Sequence, residues 1–171
     1  MKRGAIWFPL WAAACGHLTG SPPSPGGSPV LATLERSGCY GPCPAYRLTV
    51  YENGVVVFQR LRDEAGGRES ERKRGRRLSG GELAELARAF ERAGFDSFAD
   101  HTARECTDFQ TVFVTWRGRT VTHYWGDRSA PERLFELEAA FDRIVDTRRW
   151  LDRDPHRAEP NATFCRPVPP S

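Results

Sequence analysis

Residues 45–61 read AYRLTVYENGVVVFQRL and carry the clearest structural signal in the chain. Apolar side chains occupy alternate positions from Tyr46 to Val50, which predicts a strand with one buried face. A second β-like run follows at 55–61, after Asn53-Gly54. Asn-Gly between two such runs predicts a β-hairpin with a type I′ turn, because both central residues of that turn need positive φ.

Further strands flank this hairpin. Residues 30–35 predict a strand that leads into it, and 111–116 and 120–125 predict a second hairpin around an Arg117-Gly118 turn.

The segment 60–77 contains eight basic and four acidic residues and no aromatic residue. We interpret it as a solvated connection with a short strand near 76–78. The alternative, a basic binding loop, lacks the aromatic side chains that stack on nucleic acid bases.

Two helices are predicted from capping motifs and helical periodicity. Ser79 and Glu82 form an S-x-x-E capping box, and Gly94 suits the C-terminal end of the first helix. Ser129 and Glu132 repeat that box, with a proline in the first turn of the second helix. The apolar stripes predicted to be buried are Leu83, Leu86, Ala87 and Phe90 in the first helix, Leu134, Leu137, Phe141, Ile144 and Val145 in the second, with Phe95 and Phe98 covering the end of the core.

The predicted element order is β-β-β-α-β-β-α. Hairpins dominate, and strands and helices do not alternate along the chain, so the sheet should be mainly antiparallel with two helices packed on one face. The sequence therefore predicts an α+β fold in a single domain at 30–150, followed by a Pro-rich C-terminal tail at 151–171.

Composition narrows the class of protein. Of the 171 residues, 39% are hydrophobic and 27% are charged, and the formal net charge is +3. These values exclude wholesale disorder, collagen-like repeats and a multi-span membrane protein. Removal of residues 1–14 takes away Lys2 and Arg3 and leaves a net charge of +1, which gives no support for nucleic acid as a partner.

Residues 1–14 are predicted to be a lipoprotein signal peptide. The apolar stretch 4–14 is too short to span a bilayer but fits the core of a secretory signal. It ends in Ala12-Ala13-Ala14-Cys15, which is similar to a bacterial lipobox, although alanine stands where leucine is usual. In that motif Cys15 is lipidated and becomes the first residue. The alternative is ordinary signal cleavage that leaves the cysteine unmodified.

Residues 15–29 combine the lipidated Cys15 with a Gly/Ser/Pro-rich tether. Two or more acyl chains suffice for stable anchoring, so we expect a membrane as a partner through the N-terminal lipid. An aspartate directly after the lipidated cysteine resembles an inner-membrane retention signal, but Gly16 occupies that position here. We therefore expect a bacterial cell-envelope location, at the outer membrane and facing the periplasm.

Four further cysteines are Cys39, Cys43, Cys106 and Cys165. In an exported chain they suggest two disulfides, for which three connectivities exist. Cys39 and Cys43 enclose Tyr-Gly-Pro, a tight segment that can bring two Cα atoms within the roughly 4.4–6.8 Å that a disulfide needs. We therefore favour Cys39–Cys43 together with Cys106–Cys165, the second of which would staple the C-terminal tail to the loop before the 111–116 strand.

The segment Cys39-Tyr-Gly-Pro-Cys-Pro-Ala-Tyr46, followed by a strand, Asn-Gly and another strand, resembles a bacterial family. It is similar to domain of unknown function 6438, which is often seen in predicted lipoproteins. The resemblance covers about 31–150 and implies the same fold and the pairing of Cys39 with Cys43. It implies no activity.

Two other chemistries are alternatives to simple disulfides for these cysteines. Cys39 and Cys43 could be a redox pair, but a strand rather than a helix N-terminus follows them, and their spacing is C-x-x-x-C. All four cysteines could hold zinc, but Cys106 and Cys165 lie far apart in the sequence and do not form a second close pair. We predict no metal and no cofactor.

A nucleophilic site is the third alternative. Cys106 could act with His101 or His123 as base and Asp108 as orienting carboxylate. His123 alternates with Val121 along a predicted strand, so a half-buried structural histidine is the ordinary explanation. We predict no catalytic residue.

The functional prediction is correspondingly general. We expect a non-catalytic binding or interaction module whose partner is an unidentified envelope protein or ligand. The alternative is a thiol–disulfide oxidoreductase that uses Cys39 and Cys43. The aromatic residues Tyr40, Tyr46 and Trp125 are either a recognition patch or part of the core.

Overall fold

The structure is a computed structural model that describes residues 23–39, 43–61, 73–103 and 109–151. Its strands are β1 (Val30–Arg36), β2 (Tyr46–Tyr51), β3 (Val55–Arg60), β4 (Arg74–Arg77), β5 (Thr111–Trp116) and β6 (Arg119–Tyr124), and its two long helices are α1 (Gly80–Ala93) and α2 (Glu132–Val145). The strands form one antiparallel sheet in the order β4-β3-β2-β1-β5-β6. The predicted α+β class, antiparallel sheet and two helices are confirmed.

Strand β4 adds one element to the predicted order, which becomes β-β-β-β-α-β-β-α. Its sequence, Arg-Gly-Arg-Arg, has no alternation of apolar and polar side chains. The strand forms because β3 offers it a free edge, with Val55 paired to Arg77 and Phe58 to Arg74. Tertiary context of this kind commonly overrides weak local preference.

The β2–β3 turn differs from the type I′ turn that the sequence predicts. Gly54 has φ of 82°, whereas Asn53 is not among the residues with positive φ. The loop therefore has three residues and ends in a left-handed glycine, the second common hairpin geometry. A Cβ atom on Gly54 would lie 2.8 Å from the Leu78 carbonyl oxygen, so the position needs glycine for space as well.

The β5–β6 turn has type I′ geometry, which the sequence predicts for the β2–β3 turn instead. Arg117 and Gly118 both have positive φ, at 47° and 85°, as the two central residues of a type I′ turn require.

The two helix N-termini also differ. In α1 the capping box is present: Ser79 Oγ accepts from Glu82 N–H, and the Glu82 carboxylate accepts from Ser79 N–H at 2.7 Å. The predicted box of α2 is wrong, because that helix begins at Glu132 with Pro131 as N-cap. A cap at Ser129 would place the residue before proline in helical conformation, which is sterically disfavoured.

The core lies between one face of the sheet and the two helices. The predicted stripe of α2 is buried throughout, and in α1 Leu86 and Phe90 are buried while Leu83 and Ala87 pack partly buried against the core. Phe90 stacks on Trp116 with ring centroids 4.3 Å apart. Phe95 and Phe98 are buried as predicted.

Part of the predicted tether belongs to the folded domain. Asn53 Nδ2 donates to the Pro25 carbonyl oxygen at 2.9 Å, and Asn53 N–H donates to Ser28 Oγ at 3.1 Å. The Glu52 N–H donates to the Pro29 carbonyl oxygen at 3.0 Å. Composition suggests a flexible linker up to residue 29, but the β2–β3 turn binds its last residues through these backbone and side-chain bonds.

Candidate functional site

The Cys39–Cys43 disulfide closes the connection between β1 and β2. Its Cα atoms lie 5.6 Å apart, within the usual range for a disulfide, and the bridge fits the predicted pairing. Arg36, the last residue of β1, pairs in register with Tyr46, the first residue of β2. The bridge therefore constrains a short connection directly beyond that pair. Cys15, Cys106 and Cys165, and with them the predicted lipid site and second disulfide, lie outside the described residues.

Gln110 binds both sides of this connection. Its Nε2 donates to the carbonyl oxygen of Ser37 at 2.9 Å and to that of Pro44 at 3.1 Å. Ser37 Oγ in turn accepts from Thr111 N–H at 2.8 Å. The disulfide thus belongs to a well-bonded corner of the fold, a setting that suits a structural bridge.

A buried ionic cluster, formed by Arg36, Tyr46, His123, Glu138 and Asp142, lies beside this corner. All five side chains are buried between the sheet and α2. Arg36 Nη2 lies 3.0 Å from Asp142 Oδ2, and Arg36 Nη1 lies 3.3 Å from Glu138 Oε2. One guanidinium therefore serves two carboxylates from successive turns of the same helix.

Tyr46 is hydrogen-bonded to both Arg36 and Asp142. Tyr46 OH donates to Asp142 Oδ1 at 2.8 Å and accepts from Arg36 Nε at 2.9 Å. Burial raises the pKa of Tyr46 well above its ordinary value, and this outweighs the opposing effect of Arg36. Burial by itself lowers the pKa of Arg36, but Tyr46, Asp142 and Glu138 together raise it above its ordinary value. Tyr46 is therefore a neutral donor and Arg36 a permanent cation.

His123 and Trp125 complete the polar contacts of Glu138. His123 Nδ1 lies 2.6 Å from Glu138 Oε1, and Trp125 Nε1 donates to Glu138 Oε2 at 2.9 Å. The Arg36 guanidinium lies over the Trp125 ring, 5.1 Å from its centroid. His123 is fully buried rather than half-buried as predicted, because α2 covers it with Glu138 and Phe135. Tyr46 is likewise buried, so the predicted aromatic recognition patch is wrong for this residue.

The predicted nucleophilic site is not assembled by its described members. Backbone atoms of His101 and His123 form a parallel bridge, but the side chains diverge: His123 contacts Glu138, whereas His101 Nδ1 lies 3.2 Å from Ser129 Oγ. Cys106 and Asp108 lie outside the described residues, as does Tyr40. Among the residues that are described, no group of three or more His, Cys, Asp or Glu side chains could hold a metal ion.

His101, Ser129 and Asp127 bring together residue types that also occur in serine hydrolases. Here, however, Asp127 Oδ1 accepts two hydrogen bonds from Ser129, one from Oγ at 2.6 Å and one from the backbone N–H at 2.9 Å. Burial alone would raise the pKa of Asp127, but hydrogen bonds from Ser129 and Ala103 hold it below its ordinary value. The serine proton points to a weakly basic carboxylate, so we interpret the group as the cap of a turn.

The open face of the sheet is a candidate surface that the sequence does not predict. Both helices pack on the opposite face, and an open depression on this one is lined by Thr33, Thr49, Thr115, Tyr51, Phe113, Val30 and the Glu35–Arg47 ion pair. Strand alternation already places these side chains outward. Their alignment across β2, β1 and β5 depends on strand order, which the sequence does not reveal.

These features define an α+β domain with one antiparallel sheet, two helices on one face and a disulfide-closed corner beside a buried ionic cluster. The chain belongs to the family described as Domain of unknown function (DUF6438), whose model matches residues 30–145. The family predicted from the sequence is thereby confirmed. A comparison with curated proteins found no match to the chain. Within the described ranges, no helix has both the length and the apolar character needed to cross a membrane.

Proposed function

We propose that this chain is a lipid-anchored, extracytoplasmic protein whose folded part is a non-catalytic binding or interaction module of the cell envelope. Cys15 carries the lipid, and the membrane is the outer membrane, on its periplasmic side. The partner is an envelope protein or ligand and not a nucleic acid.

The Cys39–Cys43 disulfide is the observation that carries the proposal. Disulfides of this kind persist in oxidising compartments, such as the periplasm, and are rare in the cytosol. Gln110 binds both ends of the bridged connection, which favours a structural bridge over a redox pair. Export of this type agrees with the signal-like residues 1–14.

The arrangement of ionisable groups supports a role without catalysis. Arg36, Glu138 and Asp142 are held in ion pairs inside the core. They are therefore unsuited to contact a substrate. The open face of the sheet, in contrast, presents side chains to solvent and suits binding.

The attachment of the tether supports an oriented module. Residues 25–29 bind the β2–β3 turn and lead into Val30 at the start of β1. The disulfide follows the other end of β1, about 20 Å away for a seven-residue strand. An anchored domain would therefore hold the disulfide-closed corner away from the point where the tether joins it.

Intact mass tests the anchor and the disulfides. The mature protein is taken from its native membrane fraction and alkylated without reduction. We expect a diacyl or triacyl adduct on Cys15 and no alkylation of the other four cysteines. Unmodified Cys15 would remove the anchored part of the proposal, and alkylated Cys39 and Cys43 would remove the structural bridge.

Replacement of both cysteines tests the rival oxidoreductase. Cys39→Ser with Cys43→Ser should lower the free energy of unfolding by about 2 kcal/mol, since a short loop is released. Dithiothreitol should produce the same loss in the unchanged protein, measured by urea denaturation. An oxidoreductase would instead retain its stability in the double variant, and its Cys43→Ser variant would accumulate a mixed disulfide with another protein.

A further inference from the structure

The open face carries a row of threonines across four neighbouring strands. Thr49, Thr33, Thr115 and Thr120 are successive register partners in β2, β1, β5 and β6. Thr115 Oγ1 and Thr120 Oγ1 share a hydrogen bond of 2.8 Å. Each hydroxyl can both donate and accept, so the row offers several adjustable hydrogen-bonding groups at a spacing fixed by the sheet.

Two aromatic side chains border this row. Tyr51 at the end of β2 and Phe113 in β5 line the same depression as Thr33, Thr49 and Thr115. Phe113 is 36% exposed and Tyr51 is partly exposed. A ring with one accessible side offers an apolar platform, and tyrosine adds a polar tip.

The charge of the face selects a neutral ligand. The depression contains one cation and one anion, Arg47 and Glu35, which form an ion pair at 2.5 Å. Its formal charge is zero, so it does not attract a polyanion or a polycation. An exposed pair of this kind is also held weakly, so its hydrogen-bonding groups can turn to a bound ligand.

The amount of exposed apolar surface argues against a protein partner or a second copy. Among the described residues, the large hydrophobic side chains that are exposed are Val30 and Phe113. Protein interfaces depend on a desolvated centre rich in Trp, Tyr and Arg, and threonine and valine are under-represented among the residues that dominate their binding energy. Here Thr49, Thr33 and Thr115 occupy the middle of the depression, while Tyr51, Phe113 and Arg47 lie beside them. The centre is therefore made of threonines, which suits a ligand rich in hydroxyl groups better than a protein.

We propose that the open face binds a neutral saccharide chain, with Thr33, Thr49 and Thr115 hydrogen-bonding its hydroxyl groups and Tyr51 and Phe113 contacting the sugar rings. This inference rests on the proposed binding function and names its ligand class.

The test uses an array of neutral and acidic oligosaccharides probed with the full mature chain in detergent. We expect retention on neutral oligosaccharides and an affinity that titration calorimetry can measure for the best of them. No retention, or retention on acidic oligosaccharides alone, would overturn the inference. Neither outcome would alter the mass of the lipidated, disulfide-bonded protein, so the anchored module is judged separately.

Matched substitutions locate the site. Thr33→Val with Thr49→Val removes two hydroxyls while keeping β-branched side chains, and should weaken binding at least tenfold, as should Phe113→Ala. Thr122→Val, on the same face in β6 but outside the depression, should leave affinity within twofold. Unfolding curves verify that each variant is folded. Unchanged affinity in both the Thr33/Thr49 and the Phe113 variants would place any saccharide site elsewhere and overturn the inference.

Discussion

Two arginine–carboxylate contacts start from neighbouring positions of β1 and β2, one on each face of the sheet: Arg36 in β1 contacts Asp142 of α2, and Arg47 in β2 contacts Glu35 of β1. Arg36 pairs in register with Tyr46, and Glu35 pairs with Arg47. On the helix-covered face, Arg36 and Asp142 are 0% and 4% exposed; on the open face, Arg47 and Glu35 are 47% and 25% exposed. The chemical groups are alike and the backbone positions adjacent. Burial is the variable that differs.

This difference separates what each pair does. A buried pair is neutralised internally, and removal of one member leaves an uncompensated charge in the core. An exposed pair is screened by water and salt and contributes little to stability. On the covered face, the contacts of Arg36 with Glu138 and Asp142 therefore fix the position of α2 on the sheet. On the open face, the side chains are accessible to a ligand.

Replacement of the buried arginine should have the largest effect. Arg36→Met leaves Glu138 and Asp142 buried without their cation, so the free energy of unfolding should fall by about 3–5 kcal/mol. Urea denaturation followed by circular dichroism measures the loss. A loss below about 1 kcal/mol would show that the cluster is not held by charge.

A combined variant keeps that prediction testable if Arg36→Met does not fold. Arg36→Met with Glu138→Gln and Asp142→Asn removes all three charges, and should recover a large part of the lost stability. Failure of this neutral variant to exceed Arg36→Met would contradict the explanation by uncompensated charge.

The tyrosine of the cluster should have the next largest effect. Tyr46→Phe removes the hydrogen bond to Asp142, and hydrogen bonds to charged groups contribute about 1.5–3 kcal/mol. Because the pKa of Tyr46 is raised on folding, its proton stabilises the fold fully below pH about 10, the pKa of an unfolded tyrosine. That stabilisation is lost as pH rises through the folded pKa.

The pH dependence gives this prediction its control. Between pH 9 and pH 11, the unchanged protein should lose more stability than Tyr46→Phe, as measured by urea denaturation at each pH. The other tyrosines and the lysines are common to both proteins and cancel in the comparison. Equal losses would show that Tyr46 does not contribute to the decrease in the free energy of unfolding at alkaline pH.

Strand alternation in the sequence predicts that some members of the buried ionic cluster point into the core. Arg36 continues the apolar phase of Ala32 and Leu34 in β1, and His123 continues that of Val121 in β6. A polar side chain in such a phase indicates a buried partner. The identity of the partner was not readable, since Arg36 and Asp142 are 106 residues apart in the chain.

The same limit explains which elements of the fold were predicted. The hairpins and the α1 cap depend on residues close in sequence, and they appear where the patterns place them. Strand β4 depends on the edge of β3. The start of α2 is different, because the residue before Pro131 disfavours helical conformation, a local effect that the S-x-x-E pattern left out. The threonine row depends on the order of four strands, and no local periodicity encodes that order.

The exposed pair should show the smallest effect and completes the comparison. Arg47→Met applies to the open face the same substitution as Arg36→Met applies to the covered face. Because Arg47 and Glu35 are solvated, the free energy of unfolding should change by less than about 1 kcal/mol. The change should shrink further in 1 M salt, where the Debye length is about 3 Å. A loss comparable to that of Arg36→Met would mean that the open face is covered in the native protein, and that its side chains are not available to a saccharide.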